Sequence, residues 1–278
     1  MNMEYDKQAY REKKQAELSA IFDTLNEATE EIAKDSEKYG SYLAIQARMD
    51  RYSVSNAILF LKQKPDVTQL KSFDDWEALG VSVKQGEKSI AILKPYKYQK
   101  ADGRIGTGYN VKREFDISQT DVVPRRSSFL NGISKRGLLK ALINQPPVSI
   151  EVVEALETGK NAEYDHENKL LFIRRGLEPD TFFQDVSMEL ALAEFADVNA
   201  DYTKETYMEK AKAVSYMLCK KCEIEPGFKA EVPASFSGKE AKEIRAELSQ
   251  CREMFKGIEV RMREAMEKQR EAKKEQER

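Results

Sequence analysis

Residues 51–96 read RYSVSNAILFLKQKPDVTQLKSFDDWEALGVSVKQGEKSIAILKPY, and they constrain the fold more than any other stretch of the chain. Apolar residues first recur at spacings of three and four, the helix period, and then run together over residues 89–93, a length suited to a strand. Leu43, Ala47, Val54, Ile58 and Leu61 define one inward face and predict a helix over residues 42–63, ended by Pro65. Ser72 is placed as an N-cap, with Asp74 and Asp75 in the first turn beside the helix dipole. Trp76 and Leu79 then face inward and Gly80 closes the helix. Gln85-Gly86-Glu87-Lys88 is a turn, 89–96 a strand, 101–108 a hairpin tip, and 109–117 a return strand closed by Ser118-Gln119-Thr120. Helices followed by a small antiparallel sheet predict an α+β fold.

The flanks are helical in pattern. Leu18, Ile21, Phe22, Leu25, Ala28 and Ile32 mark one face of an N-terminal helix within residues 1–40, and the sheet-bearing unit occupies 41–124. Residues 125–147, with Arg125-Arg126, Lys135-Arg136 and Pro146-Pro147, read as a linker or a short basic helix. A second, mostly helical unit spans 148–228: a helix over 148–156, strands at 162–164 and 169–174, and helices over 181–196 and 207–222. From 238 to 278 the chain is a charged helix whose Ile244, Leu248, Cys251, Phe255, Ile258, Met262 and Met266 form a coiled-coil-like seam. That seam can pair with its own chain, with a second copy, or with another protein.

The net charge of −2 conceals an asymmetry. Residues 48–140 hold 18 Lys and Arg against 10 Asp and Glu, whereas 151–209 hold 5 against 15. A nucleic-acid-facing half beside an acidic half explains this, as do two solvated surfaces of opposite sign. Cys219, Cys222 and Cys251 are too few for a disulfide scaffold, and Cys219-x-x-Cys222, with His166 the sole histidine, lacks the ligands of a zinc site. No apolar run is long enough for a membrane span and no signal peptide is visible, so the expected location is the cytoplasm.

Lys84, Lys88, Lys94, Lys97, Lys100, Arg104, Lys112 and Arg113 sit on or beside the predicted strands, interleaved with Tyr96, Tyr98 and Tyr109. Cations neutralise phosphates and aromatic faces stack on unpaired bases, so a sheet with both is a single-strand platform. A half-exposed sheet with a lysine-rich polar face would read the same way.

The ordered blocks Arg51-Tyr52-Ser53, Asn56, Gln63, Pro65, Trp76-x-x-Leu79-Gly80, Val83-Lys84-x-Gly86-Glu87-Lys88-x-Ile90 and Phe115-Asp116-Ile117-Ser118-Gln119-Thr120 decide between the two. Together they resemble the N-terminal single-stranded-DNA-binding domain of ArdC-type antirestriction proteins, a domain found in plasmids, conjugative elements and phages. Ser89 departs from the glycine usual there. The resemblance implies DNA contacts from Arg51, Tyr52, Asn56, Trp76, Lys84 and Lys88, and the basic, aromatic-bearing sheet adds Lys94, Tyr96 and Lys97. The arginine and lysines would meet phosphate, Tyr52 would stack, and Asn56 would bond a base or the backbone. Trp76 is the weakest of these, because a helix tryptophan at this spacing is more often core.

The second unit resembles the zinc-peptidase-like domain, related to the ImmA/IrrE family, that often follows. There His-Glu-x-x-His places two histidines on one helix face, with the glutamate as general base. Here the block is Met188-Glu189-Leu190-Ala191-Leu192, and Lys212 stands where the third, acidic ligand is expected. Only Glu189 survives, so the expectation is a pseudo-peptidase with no metal, cofactor or catalysis. The function expected is non-enzymatic single-stranded-DNA binding for a mobile element or phage, in antirestriction or in protecting DNA during transfer or replication. The alternative is a protein-interaction module that captures a host defence or replication protein through the pseudo-peptidase scaffold.

Overall fold

A computed structural model describes residues 2–122 and 129–276; Arg125 and Arg126 lie outside the described residues. The helices and strands, in chain order, are α1 (Asn2–Ile32), α2 (Ser36–Arg48), α3 (Val54–Gln63), β1 (Leu70–Lys71), α4 (Phe73–Ala78), β2 (Ile90–Gln99), β3 (Ile105–Asp116), α5 (Lys135–Leu142), β4 (Ser149–Val153), β5 (Ala162–Asp165), β6 (Leu170–Arg174), α6 (Pro179–Val198), α7 (Lys204–Lys221) and α8 (Ala241–Gln276). The fold is α+β. Its first sheet has the order β1-β3-β2, antiparallel throughout; its second, β4-β6-β5, has one parallel and one antiparallel pairing.

Two sequence expectations give way here. The helix expected over 42–63 is two helices, α2 and α3, separated at Met49–Ser53. Ser53 leaves the helix to accept from the Asn56 amide as the N-cap of α3, and Asp50 turns its carboxylate toward the C-terminal half of the chain. Both residue types compete with the helix by bonding locally in turns and caps. The segment 148–156, expected as a helix, is instead the strand β4, parallel to β6. Its Ile150, Val152 and Val153 are β-branched and suit the pleated surface.

The predicted caps and turns are present. The Ser72 hydroxyl accepts from the Asp75 amide at 3.1 Å. Gly80 and Gly86 take φ of 71° and 86°, the left-handed region their turns require.

One continuous core joins the two units, with Tyr42, Phe60, Phe183, Phe195 and Phe255 fully buried in it. Helix α8 runs through its centre, and all seven seam residues are buried against the chain's own helices. Cys219, Cys222 and Cys251 are buried free thiols, and burial pushes Cys219 and Cys251 up to about 12. No helix among the described residues is long and apolar enough to cross a membrane.

Buried charge ties the halves together. The nearly buried Asp50 carboxylate meets Lys221 of α7 at 3.2 Å and Lys256 and Arg263 of α8 at 3.2 and 3.3 Å. The fully buried Glu259 accepts from the same Lys256 at 3.1 Å and from Arg263.

Candidate nucleic-acid interface

The break between α2 and α3 makes the site. Arg51, Tyr52, Ser53 and Asn56 line a groove of about 620 Å³ together with Leu93, Lys94 and Pro95 of β2, Tyr109 and Glu114 of β3, and Ser249 and Arg252 of α8. Arg51 and Lys94 are exposed there. Arg252 reaches from α8 to donate to the Tyr52 carbonyl at 2.9 Å and the Asp50 carbonyl at 3.1 Å, which fixes the loop bearing Arg51. Phe22 of α1 packs edge-on against Tyr109 at 5.8 Å between ring centroids. Tyr52 lies edge-on to Phe60 at 5.1 Å and donates its hydroxyl to Glu114 at 3.3 Å.

Beyond Pro95, β2 and β3 leave the core and continue as a two-stranded ribbon. Tyr96 pairs with Gly108 and Tyr98 with Gly106. Because neither glycine has a side chain, each ring lies over the opposite strand. A Cβ on Gly108 would fall 2.5 Å from Tyr96 Cζ, and one on Gly106 would fall 2.6 Å from Tyr98 Cζ. The two rings are still 45% and 44% exposed, with centroids 6.1 Å apart. Lys97 faces the other side and donates to Thr107 at 2.7 Å. Groove and ribbon therefore form one track along β2, cationic at one end and aromatic at the other.

The remaining expected contacts sit elsewhere. Asn56 is 6% exposed and uses both ends of its carboxamide on the edge of β2: it accepts from the Leu93 amide at 2.8 Å and donates to the Leu93 carbonyl at 3.0 Å. Gln63, one turn-pair further along α3, does the same to Ala91 at 2.8 and 3.0 Å. These two amides cap a sheet edge that would otherwise present unpaired groups, so Asn56 lines the groove with its carboxamide engaged by the scaffold. Replacing it by alanine should leave the buried Leu93 amide and carbonyl without partners, at about 2–4 kcal/mol. Denaturant unfolding with an unchanged slope is the check; Gln63→Ala, at a more open position, should cost less.

Trp76 is 2% exposed and donates its indole N–H to the Phe115 carbonyl at 2.9 Å, a core role. Lys84 and Lys88 lie on the turn that packs against residues 118–120, outside the groove. The Lys84 ammonium donates to the Ser118 carbonyl at 3.2 Å, while Gln119 holds the Lys88 carbonyl at 2.9 Å.

Sequence reasoning missed three features of the track. Glu114 was hidden among the basic residues of β3. Burial raises its carboxyl above the usual 4.5, against the opposing pull of Tyr52 and Lys94. Arg252 sits 200 residues from Tyr52 in a helix whose pattern announces only a seam. The Tyr-x-Tyr opposite Gly-x-Gly was the one detectable signal, visible once the strands are placed in register.

In the second unit, α6 carries Met188, half-buried, and Leu192, fully buried, on either side of Glu189. Lys212 does not approach Glu189; it is exposed and lines a small cavity with Tyr39, Leu43 and Glu209. The cation at Glu189 is Lys204, at 3.2 Å. His166 is exposed in its turn, 3.2 Å from the Tyr164 hydroxyl and beside the Tyr202 ring.

Residues 12–126 match the family described as the N-terminal domain of anti-restriction factor ArdC. No curated protein matches the chain. Among solved structures, the metal-free antirestriction ArdC protein from the R388 plasmid aligns at a TM-score of 0.54 and 13% identity, over 87% of this chain and 97% of that one. The Mn(II)-bound structure of the same protein aligns at 0.58 and 12%, with the same coverage. At such identity the likeness establishes the fold. Residues 12–126 are thus similar to the ArdC N-terminal domain, and 87% of the chain shares the fold of the R388 protein.

Proposed function

We propose that the chain is a non-enzymatic single-stranded-DNA-binding protein that shields the DNA of a mobile element during transfer or replication, an antirestriction role. The carrying observation is the exposed tyrosine pair. Bases along one strand of a duplex rise about 3.4 Å each, whereas Tyr96 and Tyr98 are 6.1 Å apart. Successive bases can reach both rings only on a strand that is unpaired and extended. Arg51 and Lys94 then hold phosphates as the strand enters the groove, and Arg252 keeps the Arg51 loop in place. The names of the R388 protein and of the matched family support the antirestriction role.

Anisotropy of a labelled single-stranded oligonucleotide, titrated with the full chain over a range of salt, tests the proposal. Affinity should fall log-linearly with salt at a slope of about −0.7 for each phosphate neutralised. Binding that does not respond to salt, or no binding at low salt, contradicts it.

Glu114 gives a second handle. It is the carboxylate in a groove otherwise suited to anions, with its proton held more tightly than usual by burial. Its negative charge is present at neutral pH and disappears as the pH falls toward its raised value, so acid should tighten binding of the strand. Glu114→Gln should bind about 2- to 10-fold more tightly at pH 7, in keeping with a charge contact of about 0.5–1.4 kcal/mol, and should lose that acid-induced gain. Affinity that does not rise as the pH of the unsubstituted protein is lowered from 7 through 4.5 counts against this role.

A further inference from the structure

The peptidase-like resemblance implies a divalent metal on α6, and the residues present do not fit one. Positions 188 and 192 offer a thioether and an alkyl group. Among the described residues, no three His, Cys, Asp or Glu side chains gather as a metal site needs. What the site does hold is a carboxylate at 2% exposure, Glu189. A general base needs access to water; this one has both its bonds inside the protein. Its Oε2 accepts from the backbone N–H of Tyr164 in β5 at 2.8 Å and from the Lys204 ammonium at 3.2 Å. Lys204 is the first residue of α7, its side chain 27% exposed, and its ammonium also lies 3.9 Å from Glu163.

We infer that Lys204 is the permanent cation of this remnant site: its ammonium supplies the positive charge that a metal would bring, and the second unit folds without a divalent ion. The geometry has a physical reason. A buried carboxylate is tolerated only when paired and hydrogen-bonded. With the histidines gone, a metal would be held too weakly to pair with it, while a tethered ammonium is always at hand. The same pair blocks catalysis, because Glu189 can neither take a proton from a metal-bound water nor leave its two donors without cost. This inference concerns α6, α7 and β5 alone and stands or falls separately from DNA binding.

The test uses the full chain. After equilibration with excess Mn(II) or Zn(II) and exhaustive dialysis, the metal content should be far below one equivalent, and neither ion should raise the thermal midpoint. Lys204→Ala should lower that midpoint by roughly 5–10 °C, because Glu189 is then buried without a counter-charge. Adding Glu189→Gln to the Lys204→Ala background removes the stranded charge and should restore most of the loss. If Lys204→Ala does not fold but the double variant does, the inference is upheld. Stoichiometric Mn(II) or Zn(II), a Lys204→Ala protein as stable as the original, or a double variant no better than Lys204→Ala overturns it.

Discussion

Replacing Tyr96 and Tyr98 together by alanine is expected to weaken single-stranded oligonucleotide binding by roughly 30-fold or more, with little change in the thermal midpoint. Stacking of a base on an aromatic side chain contributes about 1–3 kcal/mol, so two lost rings remove about 2 kcal/mol at the least. Both side chains lie on the ribbon beyond the core and are nearly half exposed, so the fold depends on them little. Deletion alone does not show that ring position matters. Gly106→Ala and Gly108→Ala do, since each new Cβ would overlap the far end of a tyrosine ring, which must swing away. Neither glycine has a positive φ, so alanine is tolerated by the backbone. The glycine variants should therefore keep both tyrosines and full stability yet lose much of the affinity. If they bind as the original protein does, the rings do not act as a platform at the positions described here.

The second large effect is on stability. Asp50→Ala is expected to cost about 2–4 kcal/mol, at the lower part of the range for broken buried ion pairs because its cations retain some access to water. Lys221 loses its partner outright, whereas Lys256 and Arg263 keep Glu259. The acid limb of the stability profile should change as well. Burial is the strongest influence on the Asp50 carboxyl and pushes it up, but Lys221 and Lys256 together outweigh it, and the net shift is below 3.8. A carboxyl lowered in the folded state contributes stability above its unfolded value, and that stability is lost as pH falls through the folded one. The contribution should therefore be full near neutrality and disappear below about pH 4, and Asp50→Ala should lack this part of the acid sensitivity. Denaturant midpoints measured between pH 7 and pH 3 are the check.

Local rules took the sequence a long way. The Ser72 cap, the Gly80 and Gly86 turns and the α8 seam follow from neighbours a few residues apart and are where the pattern places them, whereas β3 begins at Ile105, inside the 101–108 stretch expected as a hairpin tip. What failed was decided at a distance. Ser53 caps α3 locally, but the apolar face of residues 42–63 is interrupted at Asp50-Arg51, where three cations from α7 and α8 pair with the Asp50 carboxylate. Asn56 is singled out by the resemblance, and its carboxamide is taken up by a strand edge 37 residues away. Arg252 belongs to the groove only because α8 folds back through the centre of the molecule. Helical phase and the arrival of β5, not spacing along α7, place Lys204 rather than Lys212 at Glu189.

The track should accept an extended, unpaired strand. The most direct test is anisotropy of one labelled sequence, measured single-stranded and then annealed to its complement, with the full chain at a single moderate salt concentration. The account expects the single strand to bind at least tenfold more tightly, with that preference lost in the Tyr96→Ala/Tyr98→Ala variant. Equal affinity for the duplex, or a preference unaffected by removing both rings, would contradict it.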